Sequence, residues 1–271
     1  MQATVQLAKE SETAWLDAEI LLAAVLGTTR TRLLTWPEQT LSQRELFEFH
    51  ALIAHRAQGI PIAYLTGHQE FWSLPLQVTP STLIPRPETE LLVELALARI
   101  PKHDVVTVAD MGTGSGAIAL AIARERPHCQ VVATDRSTSA LSVARDNAEA
   151  LRIGNVRFVA GDWFEPLLEQ RFDIIVSNPP YIAASDPHLE RGDLRFEPRT
   201  ALAAGNDGLG DLRTIAREAH QYLLPQGWLL LEHGYNQNES VTKLLVGHGY
   251  TNIETAHDLA GIPRVVAAQN Q

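Results

Sequence analysis

The chain has 271 residues and a net charge of −10, with 45% of its residues apolar and 20% charged. That length and balance allow one large domain plus a small one around packed cores, and they exclude a disordered chain. The acidic charge, with no Lys/Arg-rich run, argues against tracking a long phosphate backbone, so no direct nucleic-acid binding is expected; the single cysteine, Cys129, excludes an internal disulfide and a cysteine zinc cluster.

The N-terminus, Met1 to Ser11, lacks a basic stretch followed by an apolar one and does not read as a signal peptide. No apolar run approaches the ~20 residues that a membrane helix needs. A cytoplasmic monomer without membrane contact is the expectation. Leu16, Ile20, Leu21, Val25 and Leu26 recur at helical spacing and predict a helix over residues 14–26, stopped by Gly27. Leu41, Leu46, Phe49, Leu52 and Ile53 predict a second over 41–58, ended by Gly59-Ile60-Pro61. Residues 68–79 change character. Phe71, Trp72, Leu74, Leu76 and Val78 beside Pro75 and Pro80 suggest short strands in a hairpin or an irregular linker. A helix from about 88 to 99 follows Pro85 and Pro87.

From Val105 onward strands and helices alternate. Strands are expected at 105–109, 130–134, 156–160, 172–177 and 228–231, and near 250–254 and 264–267. Helices are expected at 117–124, 139–151, 212–223 and 239–246. Such alternation predicts a mostly parallel sheet with helices on both faces.

Asp110-Met111-Gly112-Thr113-Gly114-Ser115-Gly116 falls between the first of these strands and its helix. Glycines there let backbone approach a ligand, and the helix N-terminus offers unpaired N–H groups. Alone the signal is weak, since a tight strand-to-helix turn looks the same, and Gly112, Gly114 and Ala117 also fit a dinucleotide pattern. Asp135 ends the next strand, where a carboxylate can accept from both ribose hydroxyls of NAD or of S-adenosyl-L-methionine (AdoMet). Asp162 and Trp163 follow the third strand; the acid can accept from an adenine amino group, and the indole can lie against an adenine or pack in the core.

Asn178-Pro179-Pro180-Tyr181 follows the fourth strand and decides between the cofactors. Two prolines fix φ and remove two N–H donors, which leaves a rigid ridge of acceptors: the Asn178 side-chain oxygen and the Pro179 carbonyl, with the flat face of Tyr181 beside them. Such a ridge suits a planar nitrogen bearing two hydrogens and facing a methyl donor. NAD has no use for it, whereas AdoMet does.

At these residues the sequence resembles class I AdoMet-dependent methyltransferases acting on amino or amide nitrogen, which include DNA and ribosomal RNA enzymes as well as protein glutamine methyltransferases. The segments upstream and downstream narrow the likeness. Pro61-Ile62-Ala63-Tyr64-Leu65-Thr66-Gly67 with Phe71-Trp72 resembles the linker of the release factor glutamine methyltransferases of the HemK/PrmC type. So do Leu83-Ile84-Pro85-Arg86-Pro87-Glu88-Thr89-Glu90, Glu197-Pro198-Arg199-Thr200-Ala201-Leu202 and Gly205-Asn206-Asp207-Gly208-Leu209.

The resemblance implies an α/β fold: a seven-stranded, mostly parallel, Rossmann-like methyltransferase domain over residues 85–271. It adds a helical, substrate-recognising domain over 1–65 and a linker, with a β-hairpin, over 66–84. It assigns the methionine part of AdoMet to Gly112, Thr113, Gly114, Ser115 and Gly116, the ribose to Asp135, and the adenine surroundings to Asp162 and Trp163. Asn178, Pro179, Pro180 and Tyr181 would hold the substrate glutamine, with Asn178 also near AdoMet. The implied substrate is the glutamine of the Gly-Gly-Gln motif in class I release factors. A ribosomal-protein glutamine methyltransferase and an RNA or DNA amino-methyltransferase are the competing readings. Arg86 and Glu88 have no assigned role, because a proline-started helix explains Pro87-Glu88-Thr89 without a ligand. His233 reads as a polar loop histidine near the active rim. No metal-ligand spacing is present, and no metal is expected.

Overall fold

The computed structural model describes residues 2–8 and 11–271. The chain divides into two compact units, residues Met1–His68 with Glu190–Phe196, and Gln69–Leu189 with Glu197–Gln271.

Among the described residues the first unit holds five α-helices: α1 (Gln2–Leu7), α2 (Ala14–Val25), α3 (Arg30–Thr35), α4 (Gln43–Arg56) and α5 (Ile62–Thr66). Leu7, Ala14, Leu21 and Ile53 make its buried centre, with Phe49, Leu52 and Leu65 packed around them. Helix α4 starts two residues later than the apolar pattern predicts. Ser42 caps it: the hydroxyl accepts from the Glu45 amide, and the Glu45 carboxylate accepts from Ser42 N. Helices α1, α3 and α5 span only 6, 6 and 5 residues, too few for periodicity to reveal. Arg56 is the unit's polar anchor. Its Nε donates to Asp17 at 2.7 Å and its Nη1 reaches Ile60 O at 3.2 Å and Asp193 at 3.6 Å.

The second unit opens with strands β1 (His68–Phe71) and β2 (Leu74–Gln77), which form a two-stranded sheet. Trp72 and Ser73 join them, both at positive φ, as a two-residue hairpin turn requires. That conformation is unfavourable for an indole-bearing residue, and it is held from outside. Trp72 N donates to Glu90 at 2.7 Å, and the indole N–H to Glu125 at 3.2 Å.

A 3-10 turn, Pro87–Thr89, then leads into α6 (Glu90–Arg99). Thereafter come β3 (Thr107–Met111), α7 (Ala117–Glu125), β4 (Gln130–Asp135), α8 (Thr138–Leu151), β5 (Val156–Ala160), β6 (Phe172–Ser177), α9 (Gly210–Glu218), β7 (Leu223–Glu232), α10 (Asn238–Gly247), β8 (Thr251–His257) and β9 (Pro263–Gln269). The seven strands β3–β9 make one sheet in the order β5-β4-β3-β6-β7-β9-β8. The four pairings among β5, β4, β3, β6 and β7 are parallel, and β9 runs antiparallel to both β7 and β8. The expected α/β fold with a mostly parallel seven-stranded sheet is the one found.

Side chains alternate between the two faces, as a pleated strand requires. Val108, Ile174, Val176 and Leu230 face one core with Leu92 and Val93 of α6 and Ile118 to Ile122 of α7. Ala109, Met111, Ile175, Leu229 and Leu231 face the other, with Leu212 and Ile215 of α9 and Val241 and Leu245 of α10. Both faces are therefore dry, and the sheet's ligand-binding edge is its carboxyl end. Among the described residues no helix is long and apolar enough to cross a membrane.

Two strands differ from the sequence expectation. β3 lies two residues further on than predicted: Val105 is 70% exposed and leaves the sheet, while Asp110 and Met111 join it. β7 begins five residues earlier, because Pro225-Gln226-Gly227 reads as a turn but is accommodated as an irregularity in the pairing with β6, with Gln226 at φ +65°.

Candidate active site

Strand β3 sits between β4 and β6, so the chain leaves it toward opposite sides of the sheet, which opens a crevice above its carboxyl end. The register is close. Met111 pairs with Ser177 and Thr134, so Gly112 and Asn178 leave the sheet as neighbours.

The glycine loop is built by its backbone. Gly112 N and Thr113 N both donate to Thr134 O at 2.9 Å. Gly112 has φ +74°, and a Cβ there would meet the Trp163 ring at 3.4 Å. Gly116 has φ +86°, and a Cβ would lie 3.2 Å from Ala144 on α8. Asp110, fully buried, braces the loop from below: one oxygen accepts from Thr113 Oγ1 at 2.6 Å and from Ala119 N at 3.2 Å. Burial pushes its carboxyl up to about 7. Asn147 on α8 ties the loop to the hairpin, its amide donating to Ser115 O and Gln77 O and accepting from Gln77 N.

A cleft of about 680 Å³, including the part open to solvent, lies over these strand ends. Gly112, Gly114, Asp135, Asp162, Trp163, Asn178 and Pro180 line it. The remaining sequence-predicted residues are not in its wall. The side chains of Thr113 and Ser115 are buried, the former turned down onto Asp110. Pro179 is buried, and Tyr181 turns its hydroxyl to Glu232 at 3.4 Å.

Asp135 offers its carboxylate at the end of β4. One oxygen accepts from Gly114 N at 2.9 Å and the other from Ser137 N at 2.8 Å, which leaves each oxygen a lone pair. Burial raises its pKa, and these two backbone donors oppose the rise. Trp163 sits at φ +43°, and the Asp211 carboxylate at the start of α9 lies beside its indole. The ring packs against the second core and also lines the cleft.

The opposite wall comes from two segments clipped together by one carboxylate. Glu197, whose side chain is inaccessible to solvent, accepts from Ile84 N at 3.0 Å and pairs with Arg86. Leu83 and Thr82 of one segment, and Pro198 and Thr200 of the other, border the cleft. Arg136 donates to Thr200 O at 3.0 Å, from the far side of the crevice. Arg86 thus has a structural task, whereas Glu88 is exposed.

The family model for the PrmC N-terminal domain matches residues 1–67, and that for the methyltransferase small domain matches residues 88–194. A release factor glutamine methyltransferase of Aliivibrio fischeri is 50% identical over 260 residues, 96% of this chain and 91% of that one. Those of Salmonella typhimurium and Escherichia coli are 51% and 49% identical, over 96% and 94% of this chain and 94% and 92% of theirs.

The chain belongs to the release factor glutamine methyltransferases.

Solved structures agree on the fold. A methyltransferase of Pyrococcus furiosus superposes with a TM-score of 0.56 at 19% identity, over 81% of this chain and 96% of that one. A 16S rRNA N2 G1207 methyltransferase of T. thermophilus, solved with AdoMet and guanosine, gives 0.57 at 21% identity, over 75% of this chain and 50% of its own.

Around Asn178-Pro179-Pro180-Tyr181 stand residues to which the sequence alone assigned no role. Asn178 Nδ2 donates to Thr89 Oγ1 at 3.1 Å. Gln237 donates to Tyr181 O at 2.9 Å and accepts from Gly234 N at 2.9 Å. Gly208, in the Gly-Asn-Asp-Gly-Leu stretch, passes so close that a Cβ would lie 2.3 Å from Tyr181 O. Glu232 ends β7, buried, beside Thr89 and Tyr181, while its neighbour His233 is buried and keeps its Nδ1 at 2.8 Å from Gly234 O. An acid closing an apolar strand on the active rim was the one available signal for Glu232. Among the described residues no cluster of His, Cys, Asp and Glu could hold a metal ion.

Proposed function

We propose that the chain methylates the side-chain amide nitrogen, N5, of the glutamine in the Gly-Gly-Gln motif of class I peptide chain release factors, with AdoMet as methyl donor. The observation that carries this reading is the pairing of Met111 with Ser177, which brings Gly112 and Gly114 of the loop and Asn178 and Pro180 of the ridge to the wall of one cleft. The cleft suits AdoMet: Asp135 keeps a lone pair on each oxygen for a ribose, Trp163 offers a flat ring, and the glycine backbone leaves room for an amino-acid tail.

An amide nitrogen is a poor nucleophile, because its lone pair is delocalised into the carbonyl. Asn178 Oδ1 and the Pro179 carbonyl would each take one N–H of the glutamine amide. Holding both hydrogens favours a pyramidal nitrogen and turns its lone pair toward the methyl donor. Such positioning supplies up to ~7–11 kcal/mol in the best intramolecular cases. Bound AdoMet supplies an electrophilic methyl group on a positively charged sulfur. No base has to act first, since the nitrogen becomes acidic on methylation and gives its proton to water. Tyr181 closes the ridge with its ring, and its burial and contact with Glu232 keep its hydroxyl protonated.

The helical unit at the N-terminus is assigned to recognition of the release factor, with the cofactor held by residues of the second unit. The family membership supports a protein substrate, as does the acidic balance of the chain. The test is incubation with labelled AdoMet and a panel of release factor, ribosomal proteins and RNA, followed by peptide mass spectrometry. Methyl transfer to the Gly-Gly-Gln glutamine is the expected result. Label on ribosomal protein or RNA alone would overturn it.

A further inference from the structure

Asn178 can serve as an acceptor only if its amide is turned the right way round. The oxygen and the NH₂ group are nearly the same size, so shape does not choose between them. A hydrogen-bond partner with a fixed polarity is required. Thr89 is that partner, and its polarity is set in turn by a third residue.

Thr89 is 4% exposed, on the last residue of the 3-10 turn before α6. Its hydroxyl carries one hydrogen. The carboxylate of Glu232, 3% exposed, lies beside that hydroxyl, and when ionised it offers only acceptors, so the hydrogen can turn to it. With its hydrogen so turned, Thr89 Oγ1 can only accept. The group facing it from Asn178 must then be the NH₂, and Nδ2 is the atom found there, at 3.1 Å. Asn178 Oδ1 is left for the cleft.

The placement of Glu232 follows from the sheet. Leu230 faces the core that contains α6, so Glu232, two residues on, points the same way, toward the turn that carries Thr89. The second Glu232 oxygen has no hydrogen-bond partner among the described residues. A buried carboxylate with an unsatisfied oxygen costs stability. A fold selected for stability alone would place an apolar or amide side chain there.

We propose that Glu232 and Thr89 are positioning residues for methyl transfer: ionised Glu232 fixes the Thr89 hydroxyl as an acceptor, and Thr89 locks the Asn178 amide with its oxygen toward the substrate nitrogen. This rests on the reading of Asn178 as the amide-holding residue. Neither residue lines the cleft. Their effect is therefore on turnover rather than on binding.

The experiment compares wild type, Thr89→Val, Thr89→Ser and Glu232→Gln in steady-state methylation of a purified class I release factor, with AdoMet affinity by calorimetry and melting temperature alongside. Thr89→Val keeps the shape and removes the acceptor. It should lower kcat about tenfold to a hundredfold, the range for misaligned reacting groups, with KM for the release factor and AdoMet affinity nearly unchanged. Thr89→Ser keeps the hydroxyl and should recover most of the turnover. Glu232→Gln can present either polarity to Thr89, so kcat should fall while the melting temperature at about pH 8 holds or rises, because a buried charge is removed. A purely structural role predicts a lower melting temperature and parallel losses in kcat and affinity, in Thr89→Ser as in Thr89→Val. That pattern, or wild-type kcat in Thr89→Val, overturns the proposal. Failure of the wild-type enzyme to methylate the release factor would instead overturn the functional reading beneath it.

Discussion

Met111 and Ser177 are register partners on adjacent parallel strands, and the Ser177 hydroxyl donates to the Met111 carbonyl at 2.7 Å across that pair. The contact joins the last residue before the glycine loop to the last residue before the Asn178 ridge. The proposed donor site and acceptor ridge are therefore spaced by sheet geometry, the most rigid part of the fold. Residues that shape either loop should affect transfer in separable ways.

Asp135→Asn keeps the size of the side chain and loses its charge and one acceptor. Hydrogen bonds to a charged group are worth roughly 1.5–3 kcal/mol each, so AdoMet affinity should fall about tenfold or more. The fold should persist, since the amide oxygen can still accept from Gly114 N or Ser137 N. Calorimetry that finds wild-type AdoMet affinity would remove Asp135 from the site.

Gly208→Ala places a methyl 2.3 Å from Tyr181 O and 2.9 Å from Gln237 Nε2, at φ +73°. Backbone cannot swing aside as a side-chain tip can. Overpacking of this kind costs about 1–3 kcal/mol. A lower midpoint in urea and a reduced kcat/KM for the release factor are expected together, because the displaced carbonyl belongs to the proposed substrate ridge. Unchanged kcat/KM would show that the Tyr181 backbone is free to move.

Asp110 and Glu232 set a pH dependence of stability. Burial, the largest cause for each, raises their pKa from 3.8 and 4.5 to about 7, against hydrogen bonds that favour the charged forms. Across that window the folded chain holds protons that the unfolded chain has released. Stability is thus greatest below the unfolded values and is lost as pH rises through about 7. Asp110→Asn should flatten the fall between about pH 5 and pH 8 in thermal melts. A wild-type melting temperature that rises steadily across that range would contradict the placement of these acids.

Asp17 and Arg56 anchor the N-terminal unit at 2.7 Å, with side chains 6% and 11% exposed. Breaking a buried pair costs about 3–5 kcal/mol, toward the lower end here because Arg56 also reaches Asp193 and two backbone carbonyls. Asp17→Ala should loosen that unit, reduce methylation of the intact release factor and leave AdoMet affinity as it was. An equal loss of AdoMet affinity would deny the division of labour between the units.

The sequence was legible wherever chemistry and position coincide locally. The glycine loop, Asp135 and Asn178 each announce themselves at a strand end, and strand ends follow from apolar runs of period two. Thr89 and Glu232 do not. Thr89 meets Asn178, and Glu232 lies beside Thr89, only because β7 lies next to β6 and α6 covers one face of both, and neither adjacency is written in any local pattern. Thr89 looked like part of a helix start, and His233 drew attention that belonged to the residue before it. Thr113 and Ser115 illustrate the converse: they fall inside the motif, but their buried side chains lie outside the cleft wall. The short helices α1, α3 and α5 escaped because one or two turns carry no measurable period.

The central claim is that Asn178 holds the reacting amide. Single-turnover methylation of a purified class I release factor by the Asn178→Ala enzyme, saturated with AdoMet, tests it most directly. In that proposal the side chain supplies one of two acceptors and Pro179 the other through its backbone, so alanine removes one and spares the other. Loss of one such preorganised contact costs ~10²–10³ in rate, and Asn178→Asp, which keeps an oxygen in place, should retain part of the activity. The account expects that drop in a protein that still binds AdoMet. Transfer at near wild-type rate by Asn178→Ala would contradict it.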